Sequence, residues 1–272
     1  VDGYAARSGE VLVGREFDVS QRIPAGSNPT ILEKGTVARI FTGAEPPSGS
    51  DCIIMQEDVK IIGDQKVKVL QSVEVGENIR KRACDLKTGE VFFKKGRQLS
   101  PADIGLCASV GKVSIQVYQK ITVGVFSTGD ELKQPGEKLE RGQLFDSNRP
   151  MIINCVKNMG INCIDFGCLP DRLETTVKAL KSASEKVDAI ITCGGVSVGE
   201  EDHLKDAVKE LGELKLWKIN IKPGKPFAFG KLGKSAYLGL PGNPVSAWVT
   251  FSLLCRPFIL KLNGKELGKT LF

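Results

Sequence analysis

The chain has 272 residues, 41% hydrophobic and 26% charged, a composition typical of a globular protein with room for about two domains. Its net charge of +6 is spread among interleaved acidic and basic residues, and aromatic residues make up 6%, which disfavours a nucleic-acid-binding face. No apolar run approaches the roughly 18 residues of a membrane helix, and a secretory signal is absent. We therefore expect a cytoplasmic protein that binds neither nucleic acid nor membrane.

Residues 1–120 contain short apolar runs separated by Gly, Pro, Asn and Asp, the pattern of short strands and turns. The predicted strands are 11–13, 36–41, 52–55, 67–70, 91–93 and 113–118. One helix is expected among them, with Ser100 as the N-cap, Pro101 in the first turn, Asp103 two residues later and Gly111 at the end. This half is predicted to be β-rich.

From Lys120 onward, predicted strands alternate with amphipathic helices. The strands are 121–126, 162–166, 187–192, 217–221 and 236–240. The helices are 150–159, 172–183 with Asp171 as its cap, 202–211, and a last one that starts at Pro244. This alternation predicts an α/β fold with a mostly parallel, doubly wound sheet preceded by the β-rich domain.

Four unusual loops follow the predicted strands of the α/β half. They are Ser127 to Glu131, Gly194 to Asp202, Lys222 to Pro226 and Pro241 to Pro244. Because ligands of open α/β sheets bind beyond the carboxyl ends of the strands, we expect these loops to meet at one ligand site.

The loop that begins at Gly194-Gly195 can bring backbone N–H groups close to a phosphate and leads into a helix N-terminus. It is not a Walker A loop, because Glu200 and Glu201 follow Gly199 where Lys and Ser or Thr would be required. A tight strand-to-helix turn would explain Gly195 alone, but not a loop this rich in Gly and acidic residues.

The other loops contain carboxylates that could bind a metal ion and lysines that could bind an anion. Oxygen ligands such as Asp130, Glu131, Glu201 and Asp202 suit Mg²⁺ beside a phosphate, although Asp202 could equally cap a helix. Lys222 and Lys225 lie in a loop stiffened by Pro and Gly, where an anion between them would relieve their repulsion. Lys218 would point to the same side if the strand continued. For Pro241 to Pro244, helix capping by Asn243 is a sufficient explanation.

The eight cysteines contain no C-x-x-C pair, and most lie among apolar residues, so buried free thiols are predicted. His203 is the sole histidine. Serine–histidine catalysis, structural zinc and thiol redox chemistry are therefore not predicted.

Motifs spread over the whole chain resemble those of the MoeA-type molybdopterin molybdenumtransferases and of the similar E domain of gephyrin. They are Asp2-Gly3-Tyr4-Ala5, Arg39 to Ala44, Ser127 to Leu132, Asp146-Ser147-Asn148-Arg149, Gly194 to Gly199, Lys222 to Phe227 and Leu240 to Ser246. The alternating half alone resembles the smaller MogA/MoaB proteins, which adenylylate molybdopterin.

This resemblance implies a reaction: molybdate enters the dithiolene of adenylylated molybdopterin (molybdopterin-AMP), with Mg²⁺-dependent loss of AMP, in molybdenum cofactor biosynthesis. The implied catalytic residues are Asp2, Thr42, Asp85, Glu131 and Asp202, the last two also being assigned to the metal. The implied substrate- and nucleotide-binding residues are Arg80, Ser127, Thr128, Gly129, Asp171, Gly194, Gly195, Ser197, Gly199, Pro241 and Pro244. Lys218, Lys222 and Lys225 are assigned to molybdate.

The resemblance also divides the chain into four parts. They are a β-rich domain at 1–86, a connecting helix and strands at 87–119, a MogA-like α/β domain at 120–265, and the start of a C-terminal β domain at 266–272. The family usually has Met at the position of Val1, helices ahead of it and a β domain beyond Phe272, so we expect a piece of a longer protein.

The family works as a homodimer in which the β-rich domain of one subunit covers the α/β site of the other, and a MogA-type adenylyltransferase is a possible further partner. Two alternatives remain open. One is a MogA-type adenylyltransferase, although those short proteins lack a β-rich half. The other is a gephyrin-like scaffold without catalysis, which would need a groove for a partner peptide.

Overall fold

The chain forms two compact units, Val1–Phe92 and Phe93–Phe272. The computed structural model describes residues 1–196 and 203–267, with only the backbone given for Trp217. Within the second predicted loop, Ser197, Gly199 and Asp202 therefore lie outside the described residues.

The first unit is built on one six-stranded sheet, which confirms the predicted β-rich half. Its strands are β1 (Gly3–Ala6), β2 (Glu16–Ile23), β3 (Thr36–Ile40), β4 (Cys52–Met55), β5 (Val59–Gly63) and β6 (Lys66–Val69), in the order β4-β1-β3-β2-β6-β5. Neighbours are antiparallel except for β2 and β3, which run parallel. Side chains alternate between two buried clusters, one with Phe17 and Val37 and one with Ala38 and Ile40, because successive strand residues face opposite sides.

A β-bulge at Ser20 sets the register of β2 against β3. Val19 pairs with Val37, but Gln21 already pairs with Ala38, so Ser20 is an extra residue. A bulge shifts every later residue by one position, which exchanges the two faces of a strand. Ile23 consequently lies opposite Ile40 in the core, where the two are 2% and 1% exposed.

Three strands predicted for the β-rich half and the connecting region are wrong. Residues 11–13 follow a 3₁₀ turn at Ser8–Glu10, and residues 91–93 and 113–118 form no strand. Leu12, Val13, Val91 and Val113 are all exposed, and none of the three runs pairs with a described strand; only Val11 packs into the core, beside Phe17. The predicted strands 36–41, 52–55 and 67–70 are confirmed as β3, β4 and β6.

Helix α1 (Pro101–Ser109) starts at a reciprocal capping box. The Ser100 hydroxyl accepts from the Asp103 N–H, and the Asp103 carboxylate accepts from the Ser100 N–H over 2.8 Å. Arg97 donates to the same carboxylate over 2.8 Å. The Ser100 N–H first and Arg97 second lower the pKa of Asp103 to about 2. The predicted helix start is confirmed.

We expect the Asp103→Asn variant to open α1 more often than the wild type at neutral pH. A carboxyl whose pKa is lowered by folding stabilises the fold above its unfolded pKa, and that contribution disappears as pH falls toward about 2. The difference between variant and wild type should therefore shrink between about pH 4 and about pH 2. Hydrogen exchange of the amides of α1 measures it. An Asp64→Asn variant, changed on an exposed hairpin turn, is the control; a constant difference across pH would contradict this role of the Asp103 carboxylate.

The second unit is a doubly wound α/β fold around a mostly parallel sheet, as predicted. Its strands are β7 (Thr122–Thr128), β10 (Asn162–Leu169), β11 (Ala189–Cys193), β12 (Gly212–Lys218), β13 (Pro226–Leu232) and β14 (Ser235–Leu240), with a short separate pair, β8 (Leu132–Lys133) and β9 (Leu144–Phe145). The order is β10-β7-β11-β14-β13-β12, in which β10, β7, β11 and β14 run parallel and the last two strands are antiparallel additions.

Helices cover both faces of this sheet. They are α2 (Asn148–Asn158), α3 (Leu173–Ser184), α4 (His203–Leu211), α5 (Pro244–Thr250) and α6 (Arg256–Leu262). On one face α2 and α5 to α6 share a core with Ile152, Phe251 and Ile259. On the other, α3 and α4 pack through Leu180 and Leu204. The alternating strand and helix pattern therefore predicted the layers correctly.

Two local predictions in this unit are wrong. The strand predicted at 217–221 lies earlier, at Gly212–Lys218, and the chain leaves the sheet after Lys218. Asp171 does not cap α3, because Arg172 occupies the N-cap position without a side-chain cap. Instead, the Asp171 N–H donates to the Asp130 carboxylate over 3.1 Å.

Pro244–Leu262 is one continuous helical stretch, with π-helical geometry at Phe251–Cys255 between α5 and α6. Its 19 residues have a mean hydropathy of 1.4, so by length and composition alone it could span a membrane, and the expectation of no such segment was wrong. A core helix passes the same test, and Ala247, Phe251 and Cys255 pack against the sheet.

Both edge strands of this sheet are irregular. In β10 the register against β7 shifts between Asp165 and Cys168, and Gly167 between them has a φ of +82°. In β12 the register against β13 shifts twice, on either side of Leu216. Regular pairing is therefore confined to the central strands.

Candidate active site

A cleft of about 520 Å³ opens at the carboxyl edge of the α/β sheet. Its lining includes Thr128, Glu131, Asp146, Ser147, Asn148, Gly194, Gly195, Pro226, Pro241, Gly242, Asn243 and Pro244. Since β13 is antiparallel to both β12 and β14, the loop that follows β12 emerges at the same edge as those that follow β7, β11 and β14. The structure thus brings parts of all four predicted loops to this edge.

Gly194 and Gly195 allow the chain to pass very close to Thr128. Their φ angles are +98° and +67°, and a Cβ on either would lie 2.9 Å from the Thr128 hydroxyl oxygen. Glycine alone adopts such angles without strain. The Thr128 hydroxyl is buried and has no hydrogen-bond partner among the described residues. A buried polar atom without a partner is costly, so this hydroxyl lies ready for a ligand in the cleft.

Asn148 is a second polar residue of the cleft that lacks one partner. Its amide Nδ2 donates to the carbonyl of Gly242 over 2.6 Å and so ties the start of α2 to the loop after β14. Its Oδ1 is buried and accepts no hydrogen bond from the described residues. The sequence assigned no role to Asn148. Its one signal is the run of four polar residues, Asp146-Ser147-Asn148-Arg149, directly before the predicted helix.

Arg149 fixes the N-terminal end of α2 through buried hydrogen bonds. Its guanidinium donates to Asp146 over 2.9 Å, and also to Asp165 and Gln134. Arg149 and Asp146 are 6% and 1% exposed. A buried pair of this kind persists because each charge satisfies the other, which fixes the backbone from Asp146 to Asn148 along the cleft.

Of the acidic residues in the predicted loops, Glu131 lines the cleft and Asp130 does not. The Glu131 carboxylate folds over Gly129, where a Cβ would lie 2.5 Å from its Oε2. Asp130 receives the Asp171 N–H, as described above. The described part of the chain holds no cluster of three or more His, Cys, Asp or Glu side chains suited to a metal. Mg²⁺ commonly takes one or two carboxylates plus substrate phosphates, so Glu131 suits such a site without a preformed cluster.

The three predicted molybdate lysines are exposed and do not line the cleft. The extended segment on which Lys218 and Lys222 were expected to share one side ends at Lys218. The loop is closed instead by the Ile219 N–H, which donates to the Lys225 carbonyl over 3.0 Å. Gly224, with a φ of +113°, packs against the Thr250 hydroxyl of α5.

In the first unit, the site residues implied by the resemblance form two pairs. The Thr42 N–H and hydroxyl both donate to Asp2 Oδ1, over 2.8 and 2.9 Å. These hydrogen bonds, the backbone one most, lower the pKa of Asp2, so it is ionised at neutral pH. Arg80 and Asp85 form an exposed ion pair.

Comparison with known proteins matches both units to described families. Residues 1–111 match the family described as MoeA N-terminal region (domain I and II), and residues 124–261 match a probable molybdopterin binding domain. Over 99% of the chain, 42% of residues are identical to a molybdopterin molybdenumtransferase of Haemophilus influenzae, of which the match covers 67%. The chain belongs to the MoeA family.

Other MoeA relatives give the same result. A molybdopterin molybdenumtransferase of Nostoc is 35% identical over 98% of the chain and 64% of its own length, and a gephyrin of Dictyostelium discoideum is 32% identical over 97% and 40%. A crystal structure of the MoeA protein of Pyrococcus horikoshii superposes with a TM-score of 0.78, at 30% identity, over 98% of the chain and 67% of that structure. The chain thus spans about two thirds of the molybdopterin molybdenumtransferases and of the MoeA structure, and a smaller part of the gephyrin.

The cysteines of this MoeA chain are free thiols, as predicted. Cys52, Cys107, Cys193 and Cys255 are buried, and Cys84 is exposed. Burial raises the pKa of Cys52 to about 12 and raises those of Cys193 and Cys255 as well. A thiol with a raised pKa is a poor nucleophile, so these three serve packing.

Proposed function

We propose that this chain carries the substrate-binding part of a molybdopterin molybdenumtransferase, which inserts molybdate into the dithiolene of adenylylated molybdopterin and releases AMP. The observation that supports it most is the cleft at the sheet edge. There, Gly194 and Gly195 adopt positive φ angles and bring the backbone close to Thr128. The buried Thr128 Oγ1 and Asn148 Oδ1 have no hydrogen-bond partner among the described residues. A ligand with a phosphate oxygen to accept from the Thr128 hydroxyl and a hydroxyl or amino group to donate to Asn148 Oδ1 would supply those partners.

In this proposal, each group of cleft residues has one task. The backbone at Gly194-Gly195 approaches a phosphate closely, and the Thr128 hydroxyl donates to it. Asn148 Oδ1 accepts from a hydroxyl or amino group elsewhere on the same ligand. The exposed ammoniums of Lys222 and Lys225 attract molybdate, a tetrahedral dianion. Ser127, Gly129, Asp171, Pro241 and Pro244 shape the loops around the substrate.

Mg²⁺ is part of the proposal. Glu131 would hold it at the rim of the cleft, together with Asp202, which lies outside the described residues. When bound, the ion would neutralise charge on the phosphate from which AMP leaves.

We further propose a cytoplasmic homodimer, on the strength of the family resemblance. Asp2, Thr42, Arg80 and Asp85 would then serve a site completed by the α/β unit of another subunit. A MogA-type adenylyltransferase would supply the adenylylated substrate. The hydrogen-bonded, ionised Asp2 is a fixed negative charge suited to orienting a substrate hydroxyl or amine.

The test is incubation of the chain with adenylylated molybdopterin, Mg²⁺ and molybdate. AMP release together with molybdenum incorporation supports the proposal. Adenylylation of molybdopterin from ATP would support the adenylyltransferase alternative, and the absence of both reactions would contradict both enzyme hypotheses.

The double variant Lys222→Ala/Lys225→Ala should need about tenfold more molybdate for half-maximal AMP release, because two charges that attract the dianion are removed. The matched control is Lys231→Ala/Lys234→Ala, which removes the same charge from the exposed hairpin at the opposite edge of the sheet. An equal molybdate requirement in the two double variants would contradict the assignment of Lys222 and Lys225.

A further inference from the structure

Two arginines stand side by side on one face of the first unit. Arg22 of β2 and Arg39 of β3 are register partners on neighbouring parallel strands. The bulge at Ser20 puts them there: without the extra residue, Arg22 would pair with Ile40 and point to the opposite face.

Both guanidinium groups lie over one aromatic ring. Arg22 Cζ is 4.6 Å from the centroid of the Phe41 ring, and Arg39 Cζ is 4.8 Å from the same centroid. Attraction to the ring offsets part of the repulsion between the two cations. Like charges on directly opposed strand residues are otherwise destabilising.

The two arginines differ in how they are held. Arg39 is half-buried, donates to the Gly3 carbonyl and to Gln56, and also lies over Tyr4. Its hydrogen-bond partners are neutral. Arg22 is exposed, and within Val1–Phe92 it has neither a hydrogen bond nor an ion pair. Arg39 is thus fixed in place, and the donors of Arg22 are available to a ligand.

Both arginines line a cavity of about 470 Å³ whose charge is mainly positive. Lys66 adds a third cation, although it also pairs with Asp18 over 3.7 Å. Asp64 is the single acidic residue in the lining. Ser20, Gln21 and Gln65 add hydroxyl and amide groups to the wall. A bound anion would remove the remaining repulsion between the cations.

We propose that Arg22 and Arg39 form a binding site for the phosphate group of a phosphorylated small molecule. A phosphate fits better than a single carboxylate because its double negative charge and several acceptor oxygens match two guanidinium forks. This site goes beyond the proposed function and is separate from the phosphate position assigned to the α/β cleft.

Pyrophosphate is the probe that tests the site, followed by NMR of the arginine Nε–Hε groups in the full chain. Loss of a cross-peak in Arg22→Gln and in Arg39→Lys assigns the two signals. We expect both to shift in a saturable manner, with affinity at this site about tenfold weaker in Arg22→Gln. This readout reports the arginines alone, so pyrophosphate bound at the α/β cleft does not affect it, and neither does failure of AMP release.

Arg15→Gln is the matched control. Arg15 is also exposed and lies 4.7 Å from the ring of Phe17, but it precedes β2, and the residue whose N–H donates to its carbonyl is Val69 rather than an arginine. It should bind pyrophosphate at Arg22 and Arg39 within about twofold of the wild type. Equal weakening in Arg15→Gln, equal shifts from sodium chloride at matched ionic strength, or unchanged affinity in Arg22→Gln would each overturn the proposal. Shifts that follow protein concentration without pyrophosphate would assign the pair to contacts between copies and would also overturn it.

Discussion

Replacing Arg149 with methionine should lower the free energy of unfolding of the α/β unit by about 3–5 kcal/mol. The substitution keeps an apolar stem but removes the charge that Asp146 faces. Asp146, 1% exposed, would then be a buried carboxylate without its cation. Urea unfolding followed by circular dichroism measures the loss. AMP binding should weaken as well, because the backbone leading to Asn148 loses its anchor.

Two further variants make this expectation specific. Arg141→Met changes an exposed arginine of the same unit and should alter stability by no more than about 0.5 kcal/mol. Adding Asp146→Asn to Arg149→Met should recover part of the lost stability, since the buried charge is then removed. If the double variant were less stable than Arg149→Met by the full cost of Asp146→Asn, the ion pair would not be the cause.

Replacing Gly194 with alanine should disable the cleft. The new Cβ would lie 2.8 Å from the Thr128 carbonyl oxygen, and the residue would have to keep a φ of +98°. The strain costs about 1–3 kcal/mol if the loop holds its shape, and the loop avoids that cost by moving away from Thr128. We therefore expect AMP to bind at least about tenfold more weakly, measured by calorimetry.

Gly136→Ala separates the two causes of this effect. Gly136 has the same φ of +98°, but nothing lies within 4 Å of the position that a Cβ would take, so the variant carries the backbone strain without the clash. It should lose some stability and bind AMP normally. If Gly194→Ala also bound AMP like the wild type, close approach to Thr128 would play no part in binding.

Much of the fold could be predicted because its local signals and its core agree. Continuous apolar strands such as Ile121 to Phe126 and capped helices such as the one after Ser100 are both present. The wrong predictions are segments with the residue pattern of a strand that do not pair with another strand. Residues 113–118 alternate apolar and polar side chains like a strand, but no described strand pairs with them. Strand β2 also alternates, and its bulge at Ser20 interrupts the alternation. Pairing partners are distant in sequence, so no local pattern reveals them.

At the site, too, one part could be predicted from the sequence and another could not. Convergence of the loops follows from topology, which strand order along the chain predicts well. Which side chains actually lie in the cleft depends on their local path. Asn148 lies in the cleft, where its amide donates to the Gly242 carbonyl, whereas Lys218, the last residue of β12, is not among the lining residues. The Ser20 bulge that aligns Arg22 with Arg39 is equally invisible in a single sequence.

The irregular edge strands of the α/β sheet have a consequence for how the molecule behaves at high concentration. A straight outer strand offers free backbone donors and acceptors on which a second molecule can extend the sheet. Here the shift beside Gly167 bends one border, and two register shifts together with exposed Glu213, Lys215 and Lys218 interrupt the other. Strand-to-strand polymerisation is thereby discouraged at both borders of this sheet.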